Sequence, residues 1–343
     1  MNTKQIAFTD IGVAQLVDAV CDAPEADRVQ IRTVYTTISN GTERANLMGD
    51  LNINASKILS GTKPVFPRYS GYSESGIVTA VGKNVTEFKV GDRVAGSWGS
   101  HKGMQNILEK NLVKIPDDVP MDVASLANIA TFPMAAVRKI RPQFGESAIV
   151  MGLGILGIFA IEFLKVAGMT PVIAVDPNEN RRKLALEMGA DYAMDPFEEG
   201  FSQKVKELTG GGANAAIEVT GVGKALNQVL DCMARFGRVA LLGCTRNSDF
   251  TIDYYHKVHG PGIELIGAHT MARPELESHE HCWTERDDKI AFFKLIKYGR
   301  IHPEKIIHEV HAPTEATEVY HRLAYDKDFP FGVQFKWSEE DEK

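Results

Sequence analysis

Residues 148–157 read AIVMGLGILG, and no other stretch narrows the fold as far. A short apolar run predicts a buried strand, and the longer run ILGIFAIEFLKVAG that follows predicts a helix. Between them stand Gly152, Gly154 and Gly157 in G-x-G-x-x-G spacing. Gly152 permits a tight turn, Gly154 lets the backbone approach a pyrophosphate, and Gly157 lets helix and strand pack closely. The first helical residues, Ile155 and Leu156, bring N–H donors and a partial positive charge to the same place. The spacing alone is weak evidence; a strand before it and a helix after it give it weight. Asp176 ends the next strand, 19 residues beyond Gly157. Its carboxylate is placed to accept hydrogen bonds from the ribose hydroxyls of NAD and to repel the 2′-phosphate of NADP. Arg181, one helical turn on, is expected on the ribose side. The run Arg181, Arg182 and Lys183 is the one feature here that a 2′-phosphate would tolerate.

Further strand-like runs occur at βα spacing: PVIAVD, DYAMD, AAIEVT, GRVALLG and IELIGAH. Segments of helical periodicity such as NRRKLALEMG and GKALNQVLDCMARFG separate them, several ending in glycine. With the first strand these make a doubly wound parallel sheet of six strands, an α/β fold. Before Asp122 the texture differs. Short β-like runs (VQIRTVYTTI, SGIVTAVG, DRVAG, LVKIP) are punctuated by Gly, Pro and Asp-Asp, as in an irregular β-rich domain. The β-like pieces IIHEVHAP and GVQFKW close the chain and are expected to rejoin that domain. The predicted division is residues 1–122 with 302–343, and 123–301. The acidic tail SEEDEK reads as a solvated, frayed end.

With 343 residues the chain is long enough for two domains and a large core. A net charge of −7 argues against a nucleic-acid partner. The four cysteines lie far apart with no CxxC pair, so neither a disulfide framework nor a zinc lobe is expected. The N-terminus has no basic start and no apolar core of a signal peptide. The longest apolar run, Ala148–Ile161, is too short to span a bilayer. A cytoplasmic protein with no membrane partner is expected.

ISNGTE (Ile38–Glu43), SGIVTAVGKNVTEFKVGDRVAG (Ser75–Gly96), the glycine fingerprint and EVTG (Glu218–Gly221) together carry a resemblance. On them the chain resembles the medium-chain dehydrogenase/reductase superfamily of the zinc-alcohol-dehydrogenase type. The resemblance covers nearly the whole chain. It implies a GroES-like β-rich catalytic domain and a Rossmann domain, with the active site in the cleft between them. It also implies that Thr131, Ala268, His269 and Thr270 face the nicotinamide. Thr220 and Gly243, at strand ends on the sheet's carboxyl edge, are expected at the cofactor as well.

The departures from the family pattern are informative. Zinc-binding members carry Cys where this chain has Asn40, and His-Glu where it has Tyr72-Ser73; the third ligand position falls near Ala127. No cysteine occurs in AGSWGSHKGMQNILEK, where the structural zinc lobe would follow. Asn, Tyr and Ala cannot replace thiolate and imidazole around a tetrahedral zinc. No metal is therefore expected. Nine of the ten histidines lie after residue 255, and His256, His259, His279, His281 and Cys282 form the one alternative cluster. The segment Thr270–Asp287 holding part of it reads as a polar lid.

Alcohol oxidation needs a hydride acceptor, supplied by NAD, and a proton acceptor within reach of the hydroxyl. His101 is the expected acid/base, because an imidazole titrates near neutrality. Thr42, at the family's proton-relay position, and Tyr72 are expected to orient and polarise the oxygen. Asn40 and Ser73 are expected at the substrate. The leading expectation is a zinc-independent, NAD-dependent dehydrogenase of a secondary alcohol, with a sugar, glycoside or cyclitol as substrate. The alternatives are a zinc-free enoyl or quinone reductase and a non-catalytic dinucleotide-binding relative. A homodimer or homotetramer is expected, paired through GIELIGA.

Overall fold

A computed structural model describes residues 1–53 and 63–338; the acidic tail beyond Ser338 lies outside the described residues. The chain begins with strands β1 (Asn2–Asp10), β2 (Val13–Val20) and β3 (Arg28–Thr37), then helix α1 (Asn40–Leu47). Strands β4 (Ser73–Val81), β5 (Arg93–Ser97), β6 (Met104–Leu108) and β7 (Leu112–Lys114) follow. Helices α2 (Met121–Ala124) and α3 (Ala127–Lys139) lead into alternating strands and helices: β8 (Ala148–Met151), α4 (Ile155–Val166), β9 (Val172–Val175), α5 (Glu179–Glu187), β10 (Tyr192–Met194) and α6 (Phe201–Thr209). That alternation continues through β11 (Ala213–Glu218), α7 (Gly223–Cys232), β12 (Met233–Leu241) and β13 (Glu264–Gly267). Helix α8 (Glu285–Lys297), β14 (Glu309–His311), α9 (Ala316–Tyr325) and β15 (Val333–Lys336) complete it.

The chain divides into two compact units. One comprises residues 1–129, 289–299 and 303–343, the other 130–288 and 300–302. The first boundary falls within α3, and most of α8 groups with the first unit.

In the second unit the sheet order is β10-β9-β8-β11-β12-β13, all pairs parallel. This is the doubly wound order, whose reversal lies between β8 and β11. Each of the six strands read from the sequence forms. Parallel strands covered on both faces must be apolar throughout; accordingly β8 and β9 are buried at every position.

In the first unit a seven-stranded sheet runs β14-β15-β3-β4-β5-β7, with β6 also pairing β3. Strand β15 joins β3 antiparallel, Phe335 opposite Thr36, so the chain's end is built into this sheet. One core cluster gathers Ile6, Phe8, Ile38, Leu47, Tyr320 and Phe335 around α1 and α9. Each such side chain contributes about 1.5–3 kcal/mol on burial. Among the described residues no helix is long and apolar enough to cross a membrane.

Glu309 on β14 receives both ends of the Arg322 guanidinium at 2.9 Å and His311 at 2.8 Å. The Arg322 hydrogen bonds hold its carboxyl down to about 2, against an ordinary 4.5. A carboxyl depressed by folding stabilises above its unfolded value and loses that contribution as pH falls through the folded one. We expect Glu309→Gln to flatten the loss of stability between pH 4.5 and about 2, read as urea midpoints across that range. The pair is partly exposed, so the effect is modest and shrinks in salt.

Candidate active site

In the second unit the glycine loop joins β8 to α4. Gly152 has φ +99°, a region open to glycine, and its N–H donates to the Val175 carbonyl at 2.8 Å. A Cβ on Gly157 would lie 1.9 Å from the Gly152 oxygen, so α4 and β8 touch at that point. A Cβ on Gly154 would meet nothing within 4 Å. The first α-helical bond of α4 is Ile158 N–H to Gly154 oxygen, at 3.0 Å. The N–H groups of Ile155, Leu156 and Gly157 therefore precede the helical ladder, beside open space.

Asp176 follows β9 and is 5% exposed. One carboxylate oxygen accepts the Leu153 N–H at 2.9 Å and the other the Asn178 N–H at 2.8 Å. This ties the Asp176 carboxylate to the glycine loop. Arg181 lies 3.8 Å from the same carboxylate. Arg182 donates to the Asp176 and Pro177 carbonyls, and Lys183 pairs with Glu179 at 2.7 Å. The three cations of this run thus have protein partners, and Arg181 is engaged by Asp176.

The remaining cofactor candidates stand at neighbouring strand ends. Thr220, after β11, donates its N–H at 2.8 Å and its hydroxyl to Glu218. Burial pushes the Glu218 carboxyl up, opposed by those donors. A Cβ on Gly152 would lie 2.9 Å from the Thr220 methyl. A Cβ on Gly243 would lie 2.3 Å from the Gly221 nitrogen, so the turns after β11 and β12 are in contact. Ala268 N–H bonds the Leu241 oxygen at 3.1 Å. His269 accepts the Met271 N–H on Nδ1 at 3.2 Å, which leaves the ring hydrogen on Nε2. Burial, then the Arg246 cation, lowers its pKa from the usual 6.5. Thr131 sits on α3 with no exposed surface; its carbonyl takes Arg273 Nη2 at 3.1 Å. Arg273 also bonds the Thr270 carbonyl at 3.0 Å, so one guanidinium joins Thr131 to the turn after β13.

The segment Thr270–Asp287 is pinned rather than loose. Arg138 bonds Asp288 at 2.8 Å and lies 3.6 Å above the Trp283 ring, and Lys139 reaches the Ala272 carbonyl at 2.5 Å. His279 and Cys282 form a tight β-bridge, and His256 pairs with Asp253 at 2.9 Å. Among the described residues no three His, Cys, Asp or Glu side chains are grouped as metal ligands would be.

In the first unit the polar candidates converge on the turn into α1. Tyr72 donates its phenol hydrogen to Ser39 Oγ, and its ring lies 5.7 Å from that of Trp98. Asn40 donates to the Pro330 carbonyl at 2.9 Å. Thr42 stands on the first turn of α1, and its hydroxyl makes no hydrogen bond among the described residues.

Two of the candidates are placed inside the first unit. His101 has no exposed surface, and both ring nitrogens are bonded, Nδ1 to Thr36 at 2.7 Å and Nε2 to Glu43 at 3.0 Å. Ser73 is 1% exposed and donates to the Ser125 carbonyl at 2.6 Å, so it braces a loop rather than faces a ligand. The sequence reading missed Ser39 and Trp98. Trp98 is half-exposed with φ +64°, an uncommon conformation for a bulky residue, and its N–H bonds the Tyr72 carbonyl at 3.3 Å. The flanking glycines of GSWGS were the available signal.

The comparisons agree with this architecture. A family model for the alcohol dehydrogenase GroES-like domain matches residues 25–137, and one for zinc-binding dehydrogenases matches residues 156–279. L-threonine 3-dehydrogenase of Thermococcus kodakarensis is 30% identical over 324 residues, 86% of each chain. D-guloside 3-dehydrogenase of Shigella flexneri is 26% identical over 334 residues, 92% of this chain and 95% of that one. Benzyl alcohol dehydrogenase of Acinetobacter calcoaceticus superposes with a TM-score of 0.84 at 21% identity, covering 98% of this chain and 99% of its own. Other solved proteins of this fold carry NADP or NADH. The chain belongs to the medium-chain dehydrogenase/reductase superfamily, in its alcohol-dehydrogenase branch. It is an oxidoreductase of the class that acts on CH–OH groups.

Proposed function

We propose that the protein interconverts a secondary alcohol and a ketone with NAD and without a catalytic metal, and that its substrate is a sugar, glycoside or cyclitol. The supporting observation is what stands at the family's metal positions. Asn40 gives its amide hydrogens to Pro330, Tyr72 gives its phenol to Ser39, and Ala127 is a fully buried methyl. None offers thiolate or imidazole, so these residues do not fit zinc.

The residues at the glycine loop do fit a dinucleotide. Open space in front of Gly154 and the leading N–H groups of α4 suit a pyrophosphate. Asp176 would take the ribose hydroxyls; Thr131, Thr220, Gly243, Ala268 and His269 would line the rest. NAD, when bound, supplies the hydride transfer. The protein's part is to polarise the oxygen. Tyr72 carries a phenol hydrogen that would turn from Ser39 to the alkoxide formed as a ketone is reduced. Thr42, with its hydroxyl unengaged, orients the same oxygen. Polar side chains around the site favour a ligand with several hydroxyls, and the similarity to a guloside dehydrogenase supports that choice.

Turnover should appear with NAD and a panel of sugars and cyclitols. Activity confined to NADPH with enones or quinones would sink this reading. In fluorescence titrations NADH should bind about tenfold or more tighter than NADPH; the reverse order would remove Asp176 from its role. Strand β13 lies at the sheet's edge with Glu264 and Leu265 exposed. We propose that it pairs with its copy in a homodimer or homotetramer, to be read by light scattering; a monomer at micromolar concentration contradicts it.

A further inference from the structure

We infer that the buried Glu43–His101 bond is a brace that positions the Tyr72–Ser39 pair, making Glu43 and His101 positioning residues. The inference rests on the reading of Tyr72 given above for its functional meaning, not for its geometry.

The Glu43 carboxylate has no exposed surface, and among the described residues its basic neighbour is His101. It accepts the Ser39 N–H at 2.8 Å, His101 Nε2 at 3.0 Å and the Tyr320 hydroxyl at 2.5 Å. On the far side of the imidazole, Trp337 Nε1–H donates to Thr36 Oγ1 at 2.9 Å, and that oxygen lies 2.7 Å from His101 Nδ1. Because Thr36 accepts the indole hydrogen, its own hydrogen is free to point at Nδ1. The ring hydrogen then sits on Nε2, facing the carboxylate. Every donor and acceptor has a mate. Tyr320 stays a donor, because burial and the adjacent Glu43 charge push its pKa well above the usual 10.

A buried carboxylate is expensive to keep for stability alone. What this one joins is two short segments. On one side Glu43 holds the backbone of Ser39, whose hydroxyl accepts the Tyr72 phenol. On the other, His101 N–H bonds the Ser70 carbonyl at 2.9 Å, and a Cβ on Gly71 would lie 2.8 Å from the imidazole Cδ2. Gly71 takes φ +97° and directly precedes Tyr72. The Glu43–His101 bond therefore spans from the residue carrying the acceptor to the turn carrying the donor.

Tyr72 ionisation tests this without any substrate. Absorbance near 295 nm is followed through an alkaline titration of the full-length protein, with Tyr72→Phe subtracted. A phenol held as a donor ionises later than a free one, so wild type should show the Tyr72 step above the ordinary value of about 10. His101→Leu should bring it down by about one pH unit. His101→Gln, whose amide can still donate to Glu43, should restore at least half of that shift. NADH titration reports whether each variant is folded. A Tyr72 step near 10 in the wild-type protein, or an unmoved step in folded His101→Leu, overturns the brace. Should His101→Leu fail to fold, an unmoved step in Glu43→Gln overturns it equally. Unchanged turnover in Tyr72→Phe would instead strike the catalytic reading and leave the brace standing.

Discussion

Tyr72→Phe should lower turnover by about 10²-fold or more on any alcohol the enzyme oxidises, with NADH affinity unchanged. The substitution removes one hydroxyl and keeps the ring against Trp98. The loss should fall on kcat rather than KM, because a proton donor acts on charge that develops in the transition state. Its pH dependence is a second signature. Oxidation needs a base for the alcohol's proton, so Tyr72 must first lose its own hydrogen and then accept the alcohol's as phenolate; the wild-type oxidation rate should climb toward alkaline pH. The Tyr72→Phe rate should lose that climb. His101→Gln should be much milder than Tyr72→Phe. If His101→Gln were the more damaging of the two, the imidazole would regain the direct role that its burial argues against. Steady-state kinetics of the three proteins across pH decides.

Gly157→Ala should destabilise the protein by about 3 kcal/mol or leave it unfolded. Its methyl would lie 1.9 Å from the Gly152 carbonyl oxygen, which is backbone and cannot rotate away. Helix α4 would have to lift from β8, and the glycine turn would move with it. Gly154→Ala is the instructive partner. Its methyl meets nothing within 4 Å, and φ is −74°, accessible to any residue. The melting temperature should therefore hold, while the methyl intrudes on the space a phosphate needs and weakens NADH binding about tenfold or more. Thermal melts and NADH titrations on both variants separate packing from ligand approach. Wild-type NADH affinity in Gly154→Ala would show that the open space is not the cradle.

The six parallel strands were legible because their signals are local: apolar runs, helical periodicity between them, and glycines where strand turns into helix. The ties of Asp176 to Leu153 N–H and of Gly157 to Gly152 follow from that same order. Around Tyr72 the local signals mislead. His101 is expected beside the substrate as acid/base, but Gly71 lacks a side chain and leaves room for the ring to pack inward. Its environment is completed by Tyr320 and Trp337, from α9 and the residue after β15. No periodicity in the first hundred residues could announce them. Ser73 shows the same limit: a serine beside a tyrosine looks available until Ser125 is seen to take its hydrogen. Helix α8 is amphipathic on its sequence, but the pattern does not say which unit its apolar face joins; Phe292, Phe293 and the buried Lys289 place it with the first.

Zinc content and turnover, measured on the same untagged, active preparation before and after chelator dialysis, test the metal-free account most directly. Far less than one zinc per chain, with activity intact after chelation, is the expected result. Stoichiometric zinc, with activity lost on chelation and returned by added zinc, would contradict it.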